Sequence, residues 1–204
     1  MKNKSQLITS LVGVTTNMFY NTFSHLRLLS QEELDKLHSL MRRGKNKGDN
    51  SGQYGYYITP VPHFHTILNL TKKYKITGIV DLGAGAGHFV SIMNTLGVRT
   101  RGIELEPTLV TLANALHSYV GSGDILKPIL LRNYENAVYF YEPMFARELQ
   151  EKFVKNLEES LNKGQYIIYT QAGSTGIFLE DSKYFRELNS RNKHSSVRIF
   201  RKMK

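Results

Sequence analysis

A chain of 204 residues with 41% hydrophobic content holds enough apolar surface for one core, so a single domain with an appendage is expected. It has no cysteine, which rules out disulfide frameworks, thiolate nucleophiles and thiolate zinc sites and fits a reducing compartment. Lys plus Arg number 27 against 17 Asp plus Glu, and the resulting charge of +10 favours a polyanionic or acidic partner over a small neutral one.

The apolar stretch at 7–29 is broken by Thr15, Thr16, Asn17, Asn21, His25 and Arg27, short of the roughly 18 residues a membrane span needs, so a soluble protein is expected with no membrane partner. Lys2 and Lys4 precede "LITSLVGV", but no small-residue cleavage site follows, and the expected location is cytoplasmic. No acid occurs before Glu32, a trait shared with organellar transit segments, which leaves an organellar matrix as the alternative. Residues 30–41, "SQEELDKLHSLM", carry a capping box of Ser30 and Glu33 and apolar Leu34, Leu37, Leu40 and Met41 at helical spacing. The following "RRGKNKGDNSGQYGYY" has no periodicity and reads as a loop. Residues 1–52 are therefore expected to form a helical extension with a basic loop, and residues 53–204 the main domain.

From residue 76 strand and helix alternate. "ITGIVDL" reads as a buried strand, "GHFVSIMNTLG" as a helix closed by Gly97, and "VRTRGIEL" as a second strand. "PTLVTLANALHS" is a helix opened by proline, "SYVGSGDIL" a short third strand and "AVYFYEP" a fourth. "RELQEKFVKNLEESLNKG" is a long helix, "QYIIYTQAG" a fifth strand, and the tail from Lys183 a closing pair of strands. Alternation of this kind predicts an open parallel sheet with helices on both faces.

The loop in "IVDLGAGAGHF", 79–89, leaves the first strand and opens a helix, where backbone N–H groups and the helix dipole attract negative charge. A dinucleotide fingerprint would read G-x-G-x-x-G; here Gly83, Gly85 and Gly87 alternate strictly, Asp81 stands two residues before them and position 88 is His. NAD binding would use an acid at the second strand equally well, but too little chain follows the fifth strand for a substrate domain. In "RGIELEP" both Glu104 and Glu106 point the same way on an extended strand; Pro107 begins the next helix and leaves Glu106 at its amino terminus, which makes Glu104 the candidate ligand and Glu106 the reserve.

D-x-G-x-G-x-G after a strand resembles the first motif of class I S-adenosylmethionine-dependent methyltransferases, and the resemblance covers roughly residues 53–200. It implies an α/β, Rossmann-like doubly wound, mostly parallel seven-strand sheet with an antiparallel C-terminal edge strand, here preceded by N-terminal helices. It further implies that Asp81, Gly83, Ala84, Gly85 and Gly87 hold S-adenosyl-L-methionine and that Glu104 takes the ribose hydroxyls. By the same likeness Asp124 of "SGDIL" reaches the adenine amino group with Ile125 against the ring, and Tyr141 and Glu142 of "YFYEPM" face the methyl group. Tyr57, Thr59 and Pro60 of "YYITP" resemble the segment that closes over the cofactor's methionine end in the seven-strand lysine methyltransferases of archaea and mitochondria.

That likeness implies a protein lysine as acceptor. Tyr141-Glu142-Pro143 departs from the N-P-P-Y motif that grips a target base, which disfavours base-amino methylation of DNA. An RNA methyltransferase is the alternative favoured by the basic flanks at 42–48 and 191–204, and a non-catalytic cofactor-binding scaffold is the alternative outside enzymes. His63 and His65 would face one way on an extended segment, as two metal ligands do, but no cysteine exists and no third ligand stands at a motif distance, so no metal is expected.

Overall fold

The computed structural model describes residues 59–116, 118–141, 146–170, 175–189 and 196–204; the helix expected at 30–41, the basic loop, Tyr57 and Glu142 lie outside the described residues. In chain order the elements are α1 (Val61–Lys73), β1 (Ile79–Leu82), α2 (His88–Thr95), β2 (Thr100–Glu104), α3 (Pro107–Ala115), β3 (Val120–Ser122), β4 (Ala137–Tyr141), α4 (Arg147–Ser160), β5 (Tyr166–Thr170), α5 (Thr175–Asp181), β6 (Phe185–Glu187) and β7 (Val197–Lys202). One seven-stranded sheet runs in the order β3-β2-β1-β4-β5-β7-β6. Strands β1 to β5 pair in parallel, and β7 is antiparallel to both its neighbours, β5 and β6. The doubly wound sheet is the one the sequence implies, with its antiparallel C-terminal strand seated one place inside the edge.

Strand order reverses between β1 and β4, which places a crevice at their carboxyl ends. All four residues of β1 are buried, which is why the segment reads as one apolar run rather than an alternation. Ile79, Tyr139 and Ile168 turn to one face, under Phe64 and Ile67 of α1 and Phe89 and Met93 of α2. Val80, Leu82, Val138, Phe140 and Tyr169 turn to the other, under Phe153 and Leu157 of α4 and Leu179 of α5. Alternation puts Asp81 on the α1–α2 face, opposite its register partners Gly102 and Tyr139.

Boundaries shift where a side chain finds a better partner than continued regularity offers. Helix α3 stops at Ala115, and Ser118 donates its hydroxyl to the Gly87 carbonyl (3.1 Å), tying the start of β3 to the glycine turn. Helix α4 stops at Ser160 because Leu161 turns extended and buries its side chain. Helix α5 was not anticipated: with seven residues it is too short to carry a periodic signal. No helix links β3 to β4. The connection at 123–136 is anchored instead by Arg101, whose guanidinium meets the Glu135 carboxylate at 2.7 and 2.9 Å, and by Asn156 Nδ2, which donates to the carbonyls of Ile125 and Lys127.

Candidate cofactor cleft

The glycine turn is built against the end of β2. Gly83 and Ala84 donate their N–H groups to the Ile103 carbonyl (2.9 and 3.1 Å), and Gly85 donates to Glu104 Oε2 (2.8 Å). Gly87, at φ 76°, is the residue preceding α2, and a Cβ there would lie 2.5 Å from Cβ of Ser118. Only glycine fits that left-handed, crowded position. No capping side chain and no acid occupies the first turn of α2, so the positive end of its dipole faces the turn uncompensated by a side chain.

Beneath the turn lies a niche of about 20 Å³ lined by Thr59, Asp81, His88, Phe89, Tyr139 and Tyr141 together with Gly83 and Ala84. Its floor is Asp81, 3% exposed. Burial, reinforced by the negative charge of Glu104, pushes its carboxyl well above the usual carboxylate range. Tyr139 stacks on Phe89 at 3.8 Å, and its hydroxyl sits between those of Thr59 (2.8 Å) and Thr170 (3.1 Å). This hydroxyl chain ties the segment before α1 to β4 and β5. Burial, then the Asp81 charge, raises the Tyr139 phenol, which stays neutral. His88 is 2% exposed, packs edge-on to Phe64, and is lowered to about 4 by burial, so it too is neutral at pH 7.

The acids of β2 have separate tasks. Glu104 Oε1 accepts from the N–H groups of Leu105 (2.8 Å) and Glu106 (2.9 Å) while Oε2 holds Gly85, so one half-buried carboxylate clamps the ends of both connections. Glu104, the candidate ligand by sequence, therefore also has a structural role. Glu106 caps α3, accepting from the Thr108 N–H at 3.2 Å, as its place before Pro107 implies. Asp124 is half-buried and accepts from the Leu126 N–H (2.9 Å). Ile125 is turned into the core, and the apolar side chain left open beside Glu104 is Leu105, 49% exposed.

At the other end Tyr141 is half-buried, its ring 6.3 Å from that of His63, whose Nε2 meets Ser196 Oγ at 2.7 Å. Burial lowers the pKa of His63. His63 and His65 lie on α1, where two residues of separation turn them to opposite sides, unlike the extended segment on which they would converge.

The structure brings Thr59, Asp81, Gly83, Ala84 and Tyr141 around one niche and sets Gly85 and Glu104 against each other above it. Tyr139, His88 and Phe89 also line the niche, and Leu105 stands open beside Glu104; motif reading named none of the four. Tyr139 had a signal, since it lies two residues before Tyr141 on the same face of β4. A buried carboxylate with no described cation beside it, opening on a glycine turn and a helix dipole, suits a ligand with an ammonium group and a neighbouring polar diol. S-adenosylmethionine meets that description.

This sheet order, with a glycine turn after β1 and acids near the carboxyl ends of β1 and β2, defines the fold of S-adenosylmethionine-dependent methyltransferases. Among solved structures the chain is similar to a TehB-like S-adenosylmethionine-dependent methyltransferase from Corynebacterium glutamicum, at 16% identity and TM-score 0.55 over 84% of this chain and 98% of that one. It is similar also to a provisionally assigned RNA methyltransferase from Pyrococcus horikoshii, at 15% identity and TM-score 0.54 over 86% and 100%, and to a methyltransferase of the same cofactor class from Methanosarcina mazei, at 13% and 0.50 over 72% and 99%. No family model and no curated protein matches the sequence, so the likeness is one of fold. Among the described residues no helix is long and apolar enough to cross a membrane.

Proposed function

We propose that this protein is an S-adenosyl-L-methionine-dependent methyltransferase acting on a macromolecule. The observation that carries the reading is Asp81, a buried carboxylate held without a described counter-cation at the strand-order reversal, directly under the glycine turn. Its carboxylate would take the ligand's ammonium, Glu104 the ribose hydroxyls with its remaining lone pairs, and Leu105 and Asp124 the adenine end. Thr59, pinned to Tyr139, would hold the segment bearing Tyr57 over the methionine end. The bound cofactor supplies an electrophilic methyl group on a sulfonium sulfur. The protein's part is then to hold an acceptor nucleophile in line and keep water out, a contribution of proximity and orientation.

For the acceptor we favour a protein lysine, on the likeness of Tyr57, Thr59 and Pro60 to lysine methyltransferases. A lysine ammonium must lose its proton first; Tyr141 and Glu142 are placed by sequence to orient the amine, and a dry pocket lowers its pKa. An RNA acceptor is the second reading, supported by the cationic groove described below. Calorimetry with S-adenosylmethionine and its demethylated product tests the cofactor, and absence of binding at millimolar concentration ends the proposal. Transfer of tritiated methyl groups into a fractionated lysate, with protease and nuclease digestion of the product, tests the acceptor. Tight binding with no transfer into any fraction would identify the scaffold alternative.

A further inference from the structure

A second concavity lies away from the glycine turn. A groove of about 950 Å³ begins beside Asp124 and runs down the outer edge of the sheet, along β2 and β3 and under the 123–136 connection. Strand β3 is a three-residue edge whose Gly121 and Ser122 are exposed, because no helix covers the passage from β3 to β4. Its wall from Arg99 to Ile103 makes the groove ~13 Å long at the usual rise per strand residue.

Three exposed cations line it: Arg99, Lys127 and Arg132. Among the described residues none of the three makes an ion pair; Arg101, the fourth, is committed to Glu135. Asp124 at the upper end is the one acid on its walls. Two of the four large hydrophobic side chains most exposed on the described surface also stand here, Tyr119 at 74% and Leu130 at 84%. Arg99 lies over the ring of Tyr134 at 5.4 Å, and Arg132 donates to the Tyr134 hydroxyl at 3.0 Å, so a flat cationic-aromatic platform is already assembled.

We infer that this groove binds single-stranded RNA. Unneutralised cations in a track take phosphates, and open aromatic faces take unpaired bases by stacking, the combination that single-strand binding surfaces use. An acidic peptide would satisfy the cations and leave Tyr119 without a role. Asn114 and Ser122, exposed on the walls, offer partners for the ribose 2′-hydroxyl that DNA lacks. The surface lies outside the niche of Asp81, and the inference stands whichever acceptor takes the methyl group.

The test is fluorescence anisotropy with a labelled mixed-sequence RNA of about 12 nucleotides, a length within the usual range of single-strand sites, titrated with full-length protein without cofactor over a salt series. Because the cofactor is left out, failure here is separate from failure of the methyltransferase reading. Joint reversal of Arg99→Glu, Lys127→Glu and Arg132→Glu is expected to weaken binding about 30-fold or more and to flatten the log–log salt slope by about 2, three phosphate contacts at about 0.7 each. The milder Arg99→Gln, Lys127→Gln, Arg132→Gln set should move both readouts the same way. Tyr119→Ala should weaken binding about five-fold or more with the slope unchanged. A control with equal charge change on the far side of the sheet, Lys155→Glu, Lys163→Glu, Lys183→Glu, should lose far less. Absence of binding by the unaltered chain, an equal loss in the control, or unchanged affinity in the glutamine set overturns the inference. So does competition by polyglutamate, or by DNA of the same sequence, as effective as that of RNA.

Discussion

Replacing Asp81 by Asn keeps the shape of the side chain and removes its charge, and the structure sets opposite consequences for the free and the loaded protein. In the free protein the carboxyl is 3% exposed, with Glu104 its charged neighbour, and its pKa is raised by burial and then by that neighbour. The folded state therefore keeps the proton over a range where the unfolded chain has released it. The stability this residue contributes is present at low pH and is lost as pH rises through the raised value. Asp81→Asn removes that loss, so the cofactor-free variant should be at least as stable as the parent at pH 8 and show a flatter dependence of stability on pH above 5. With cofactor the sign reverses: truncating one partner of a buried charge pair weakens binding by about 2–5 kcal/mol, about 30-fold to several thousand-fold in Kd. Urea titrations between pH 5 and 8 measure the first effect and isothermal titration with S-adenosylmethionine the second. A variant that is less stable at pH 8 while binding the cofactor as tightly as the parent would refute the assignment of Asp81 to a ligand ammonium and make it a structural acid.

Glu104→Ala removes the acceptor of three backbone N–H groups, so stability should fall by about 2–4 kcal/mol and cofactor affinity with it, whereas Glu106→Ala should cost about 1 kcal/mol, the value of a helix cap, with affinity preserved; urea denaturation and calorimetry on both variants separate the two. His88, held near 4 when folded against 6.5 unfolded, binds its proton more readily in the unfolded chain. It should therefore draw about 3 kcal/mol from stability as pH falls from 6.5 to 4, and His88→Phe should remove that segment of the acid-denaturation profile. Gly87→Ala places a methyl group 2.5 Å from Cβ of Ser118 at a left-handed backbone and should lower stability by about 1–3 kcal/mol, with partial rescue by Ser118→Gly, read as shifts in thermal midpoint.

The fold was legible because β1, β4 and β5 are buried on both faces and appear as continuous apolar runs, while Gly97 closes α2 and Pro107 opens α3. Asp81 and the three glycines were legible because their spacing is itself the shape of the turn. Other features depend on contacts distant in sequence. Nothing near Tyr139 announces that its hydroxyl bridges Thr59, 80 residues away, and Thr170. The family likeness made Ile125 a candidate for a ligand's ring, yet the Asn156 contacts that fold the 123–136 connection turn its side chain inward, and Leu105 stands open instead. The edge groove was invisible for a related reason: Arg99, Tyr119, Lys127 and Arg132 share no motif and meet only because no helix follows β3.

The position of β7 sets how the sheet should come apart. Among the described strands β6 pairs with β7 alone, and β7 in turn is held on its other side by a five-residue antiparallel ladder to β5. Release of β7 therefore strands β6 as well, so the two strands form one opening unit, and amide exchange in Phe185–Glu187 should track that of Val197–Lys202 under every condition. The opening leaves β1 and β4, each flanked by two parallel partners, still closed, and their amides should be the last to exchange. Loss of β6 and β7 would then uncover the outer side of β5 and, because Val197 and Ile199 pack in one cluster with Phe64, Phe89 and Tyr139, loosen that side of the Asp81 niche, while the glycine turn, at the end of β1, keeps its bonds to β2.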